Sequence, residues 1–223
     1  VSSNEVFIDG LRLVFSPNWQ APGDDDKEVF AAVGSALSTW TILEVELLTV
    51  YLTAASPGLA PAGVSAAFSS IASVESRVRM VGLILTHSLH VSDPENAVAI
   101  DEWTRIAKKI QKKAQKRHEL AHGMVMTRTK EGTGEVVRGP CWYPFVHYSK
   151  FTVGEMPKGT FHESVKELGA MTAADISNRE ESFKRLHDEL RAYRVDTLLP
   201  LMRKRFRLRK RPRQSRDQDP TSD

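Results

Sequence analysis

The chain has one cysteine, Cys141, in 223 residues. A single thiol excludes an intramolecular disulfide and a cysteine-held metal cluster, which points to a reducing compartment with the cytoplasm as the default. Long apolar runs are missing too. The most apolar segment, Trp40 to Ala55, is interrupted by Glu44 and Glu46 and falls short of the ~18 apolar residues that read as a membrane span. The opening VSSNEVFIDGLRLVF lacks the basic stretch and apolar run of a secretion signal, so no membrane association is expected. With 13 Gly and 11 Pro there is no collagen-like or low-complexity bias, and no internal repeat is visible. What is present, 41% hydrophobic and 26% charged residues, is enough to bury the core of one domain.

The formal charge of +3 conceals a segregation. Arg203 to Arg216 (RKRFRLRKRPRQSR) holds nine Lys/Arg and no acid, and Asp217 to Asp223 holds three acids. Removing these from the 31 basic and 28 acidic residues of the chain leaves residues 1–202 with a net charge of −3. The basic pI therefore belongs to the tail, residues 203–223, which is expected to be disordered alone and able to grip a polyanion.

Residues 1–26 form an arm in which EVFI and LRLVF flank Asp9-Gly10, the pair that favours a two-residue hairpin turn. The acidic run Asp24-Asp25-Asp26 suits a helix start, and Phe30, Val33, Leu37, Trp40, Leu47 and Tyr51 predict a helix over about 27–55. After SPGLAPAG, Val64, Phe68, Ile71, Val74, Val78, Val81 and Leu85 predict a second helix ending near His90. Ser92-Asp93-Pro94 opens a third that carries Ile100, Trp103, Ile110 and Arg117 on its seam and stops at Gly123. Short β-prone runs at about 124–160 predict a small β-meander, and a Thr172/Asp175 capping box starts a fourth helix that passes or bends at Pro200. The expected fold is mainly α: residues 27–202 form an antiparallel four-helix bundle with the β-meander inserted between helices three and four.

The densest cluster of reactive side chains is Lys116-Arg117-His118-Glu119-Leu120-Ala121-His122-Gly123, at the end of helix three. As H-E-x-x-H, His118 and His122 would share a helix face and hold zinc, with Glu119 as general base on bound water. Against this stand the long helices, the cations around Lys116, and the failed metzincin extension, since Val125 and Arg128 occupy the places of its Gly and His. Glu135, His147 and Glu155 are the remaining candidates for a third ligand. As R-x4-H, Arg117, His118 and His122 make a crescent able to surround one phosphate.

The text RHELAHG resembles the R-N-x-x-A-H-G form of the HEPN family of RNA-cleaving helical bundles, with His118 where that family usually has asparagine. The resemblance covers roughly residues 27–205 as a helical frame, and about seven residues carry specific identity. It implies a metal-independent endoribonuclease that needs no cofactor and works as a homodimer with two motifs facing one RNA cleft. It further implies His122 as acid/base, Arg117 as phosphate clamp, His118 as a second acid/base or an orienting partner, and a toxin or anti-viral setting restrained by an antitoxin or regulatory protein. Lys112, Lys113, Lys116 and Arg128 are the candidate RNA contacts, within a helix face that also carries Lys108 and Lys109. Trp142, Tyr143, Phe145 and Tyr148 are weighed for base stacking against a place in the core. Other readings are a solvated basic helix end, whose cations satisfy exposed carbonyls, and a non-catalytic nucleic-acid-binding module. One of Glu44 and Glu46 is a candidate partner for Arg117, with a solvated helix face as the equal alternative for both.

Overall fold

The computed structural model describes residues 4–8, 11–15, 24–55, 62–89, 93–129, 136–144 and 170–209. Among them the chain is mainly α, with five helices and two antiparallel strand pairs, each only two strands wide. The helices are α1 (Asp24–Ala55), α2 (Ala62–Ser69), α3 (Val74–Ser88), α4 (Pro94–Ala121) and α5. The last is a continuous rod of α-helix at Ala173–Ala192, a π-helical turn at Tyr193–Leu198 and α-helix again at Leu199–Arg209. The strands are β1 (Asn4–Ile8) with β2 (Leu11–Phe15), and β3 (Gly123–Thr129) with β4 (Val136–Pro144).

The N-terminal hairpin follows the sequence reading, since Ile8 pairs with Leu11 across two residues. The single second helix does not form. Its stripe is cut at Ser70–Ser73, where the Ser70 hydroxyl donates to the Ala67 carbonyl and Ser73 accepts from the Ser76 N–H as a fresh N-cap. Serine hydroxyls that capture nearby backbone groups end one helix and start the next. Asp93 caps α4, its Oδ1 accepting from the Glu95 N–H at 3.1 Å with Pro94 at the first helical position.

Of the expected meander, the described residues contain the β3–β4 hairpin; the run FVHYSKFTV lies outside them. Pro140, which cannot donate to a strand ladder, is absorbed by a register shift between the Met126–Cys141 and Arg128–Arg138 pairs. The capping box is present: Thr172 N–H and Oγ both donate to Asp175 Oδ2, at 2.9 and 2.7 Å, and the Asp175 N–H returns to Thr172 Oγ at 3.2 Å. Thr172→Ala is expected to cost about 1 kcal/mol, read as a lower midpoint in urea with an unchanged m-value.

At Pro200 the helix neither ends nor breaks. The π turn immediately before it, in which the Leu199 N–H bonds the Arg194 carbonyl, widens the helix where the ring would otherwise press on the preceding turn. Helix then continues to Arg209, so the basic tail is helical over 203–209 rather than disordered from 203, and residues 210–223 lie outside the described residues. Arg, Lys, Leu and Met are good helix formers, and the buried Met202 anchors this last segment.

The chain divides into two compact units, Val1–Glu44 with Lys112–Leu186, and Val45–Gln111 with His187–Asp223. In the first, Trp40 and Phe183 are fully buried and meet edge to face at 5.1 Å, with Leu43, Leu120 and Ile176 also inaccessible. The Lys184 hydrogen bond, opposed by burial, holds the Glu180 carboxyl below its ordinary value of 4.5, and Thr39 Oγ donates to the same carboxylate at 3.3 Å. A depressed folded value means stability present at neutral pH and lost as the pH falls through it. Glu180→Gln should therefore flatten the acid limb of stability against pH below about 4.5, as followed by urea unfolding.

In the second unit Tyr51 stacks on Phe68 at 4.7 Å, and Ser88 Oγ donates to the Ala54 carbonyl at the end of α1. Glu46 is buried and ion-paired with Arg194, which corrects its assignment as a partner for Arg117. Asp26–Ala55 has the length and mean hydropathy, 1.2, of a membrane-crossing segment. Within it Leu47 and Val50 are fully buried and Glu46 is ion-paired, while Ile42 and Val45 are exposed.

Candidate active site at the end of the fourth helix

Arg117 and His118 lie on the last turn of α4 and His122 is the first residue beyond its end, where the His122 N–H still bonds the His118 carbonyl at 3.1 Å. Four-residue spacing stacks the two imidazoles on one face. Their ring centroids are 4.5 Å apart with planes at 55°, and both side chains are exposed. Arg117 is half-buried, and its Nε is buried with no hydrogen-bond partner among the described residues.

Glu119 turns the other way. Its side chain is 7% exposed and its Oε2 accepts from Arg179 Nη1 at 2.6 Å, with Lys116 Nζ at 3.6 Å. The carboxylate that a zinc hydrolase would need beside its histidines is thereby committed to a guanidinium on α5. No group of three His, Cys, Asp or Glu able to hold a metal occurs among the described residues, and Glu135, His147 and Glu155 lie outside them. Among the described residues the cluster brings two histidines together with no third ligand.

The helix end is held by Trp142, which takes the core place that the sequence weighed against base stacking, and by Arg179, which the sequence did not single out. The Trp142 indole N–H donates to the Glu119 carbonyl at 3.1 Å, and Arg179 Nη1 donates weakly to the Lys116 carbonyl at 3.4 Å. The Glu119 carbonyl is one of the last four of α4, where acceptors run out of backbone donors. Satisfying such carbonyls is the plainest structural reason for cations at a helix terminus, and here Trp142 serves Glu119 and the His122 N–H serves His118 while the imidazoles face solvent. Trp142 is thus a core aromatic, 7% exposed, with Phe30 edge-on at 6.3 Å, and not a free base-stacking platform. The chain returns after the insertion to pair Met171 with Trp142 through two backbone bonds, at 2.8 and 2.9 Å. A signal for Arg179 existed: it fills the place between Ile176 and Phe183 where the apolar stripe of α5 should continue.

Of the candidate RNA contacts, Lys112 is exposed, Lys113 and Lys116 are half-buried, and Arg128 pairs through its backbone with Arg138 in the hairpin. Burial first, and then the charges of Arg185, Lys112, Lys116 and Arg179, hold the Lys113 ammonium below lysine's usual value. Lys109 is withdrawn from the basic face: within the second unit it and Arg105 both bind Glu189, at 2.8 and 2.6 Å.

Comparison of the chain with protein families, with curated proteins and with solved structures finds no match.

Proposed function

We propose that the chain is a metal-independent endoribonuclease of the HEPN kind, acting in the cytoplasm on RNA. The observation that carries this reading is the exposed imidazole pair, 4.5 Å between centroids, at a helix end where the Trp142 indole and not an imidazole serves the Glu119 carbonyl. Imidazole both takes and gives a proton near neutral pH. The ribose 2′-oxygen attacks the adjacent phosphorus and its proton passes to one imidazole. The P–O5′ bond breaks and the departing oxygen takes a proton from an imidazolium. The products are a 2′,3′-cyclic phosphate and a 5′-hydroxyl. Arg117 pairs with the phosphate oxygens as charge builds on them, the role a guanidinium fork suits.

The homodimer belongs to this reading. Attacking and leaving oxygens of a phosphoryl transfer sit roughly in line, so its two proton transfers occur on opposite sides of phosphorus. Rings 4.5 Å apart leave no room for a phosphate between them. In this reading His118 and His122 of one protomer act from one side, and the motif of a second protomer supplies the other. The same reading treats α1, α2 with α3, α4 and α5 as the four arms of an antiparallel bundle, and a toxin or defence effector restrained by a partner protein as its setting.

The test is incubation of the purified chain with end-labelled RNA in excess EDTA, beside His122→Ala. Cleavage by the wild type alone is the expected result. Cleavage that EDTA abolishes and Zn²⁺ restores, with dependence on Glu119, would overturn the proposal in favour of a zinc hydrolase; RNA binding without cleavage would leave a binding module.

A further inference from the structure

On the first unit two helices together build a local cluster of positive charge. On α4 it comprises Lys112, Lys113 and Lys116, and on α5 Arg179 and Arg185. Arg179 of α5 reaches Glu119 and the Lys116 carbonyl of α4 at 2.6 and 3.4 Å, which brings the two helices side by side here, and Lys113 feels the charges of the other four. Of the carboxylates on these stretches, Glu119 is shared by Arg179 and Lys116, Glu180 is bound by Lys184, and Glu181 is exposed one turn before Arg185 without reaching it as an ion pair. Lys112, Lys113 and Arg185 have no ion pair among the described residues, and Lys112 and Arg185 are exposed. A folded chain gains nothing from crowding like charges, so the arrangement suits an anion brought from outside.

We propose that Arg185, with Lys112 and Lys113, forms a two-helix phosphate track that holds the RNA strand leading to the histidine pair. The inference rests on the nuclease reading for the identity of the strand and adds a helix to its binding surface. Arg185 lies six residues beyond Arg179, about 9 Å along α5, and Lys112 ten residues before His122, about 15 Å along α4. Those separations span more than one backbone phosphate. Of the exposed large hydrophobics, none lies on α4 or α5 within this unit, so the surface lacks the apolar anchors that an acidic protein partner would need. With Trp142 buried and the exposed Phe30 on α1, α4 and α5 offer the track no described, exposed Phe, Tyr or Trp for stacking within this unit, and the track reads charge rather than sequence.

The experiment uses the full chain carrying His122→Ala, which separates binding from cleavage, with a fluorescent single-stranded RNA titrated at 50–200 mM salt. Arg185→Ala and the Lys112→Ala/Lys113→Ala pair should weaken binding, each lost phosphate contact lowering the slope of log K against log salt by about 0.7. Arg185→Glu should weaken it further, and Arg79→Ala, an exposed cation on α3, should change neither quantity. An Arg185→Ala protein with unchanged melting, affinity and salt slope overturns the proposal, as does equal binding of polyglutamate of matched charge. The nuclease reading stands or falls separately, on cleavage by the wild type in EDTA.

Discussion

His122→Ala is expected to lower the rate of RNA cleavage by about 10²–10⁴, the usual contribution of a positioned acid/base group. The loss should appear with the fold intact, because the His122 side chain is exposed and only its backbone N–H bonds into the helix. Exposed substitutions of this kind change stability by no more than about 0.5 kcal/mol. Arg117→Ala should cost about 10²–10³ through lost stabilisation of the developing phosphate charge. The double variant should lose much less than the product of the two, since residues that act as one unit are not additive. Single-turnover cleavage under excess enzyme, with thermal melting beside it, measures both points. A His122→Ala protein that cleaves at the wild-type rate removes the imidazole from the chemistry.

The second large effect falls on stability. Arg179→Ala should destabilise the protein by about 3 kcal/mol, because it strands the Glu119 carboxylate in a site where the side chain is only 7% exposed. Lys116 at 3.6 Å is a poor replacement, being 44% exposed and farther away. A chain of this size loses about 2–4 °C of Tm for each kcal/mol. Glu119→Gln placed on Arg179→Ala should recover much of the loss by removing the buried charge, whereas Glu119→Gln alone leaves Arg179 without its partner. If Arg179→Ala melts with the wild type, the 2.6 Å pair does not hold the end of α4.

The helices were legible where apolar residues recur at three and four and a cap residue stands in front, as at Asp93-Pro94 and at the Thr172 capping box. They were misread where a local polar preference outweighs the stripe. The serines at 69, 70 and 73 interrupt a pattern that Ile71 and Val74 alone would continue. At Pro200 the sequence warns of a disturbance but does not say that a π turn absorbs it, since that depends on Tyr193 and Leu198 having a core to enter. Around the motif, spacing was enough to bring His118 and His122 together, because i and i+4 meet on any helix. It could not say where Glu119 goes. That direction is set by Arg179, 60 residues away in the chain, and by Trp142 on a strand whose docking to α4 no local pattern encodes.

The chemistry of the cut ends bears most directly on the central claim. RNA cleaved by the wild-type chain in excess EDTA should carry 2′,3′-cyclic phosphate on one fragment and 5′-hydroxyl on the other, read by mass spectrometry, with none formed when the scissile ribose is 2′-deoxy. Fragments ending in 3′-hydroxyl and 5′-phosphate, or cleavage that continues at the 2′-deoxy position, would contradict attack by the ribose hydroxyl and the imidazole chemistry built on it.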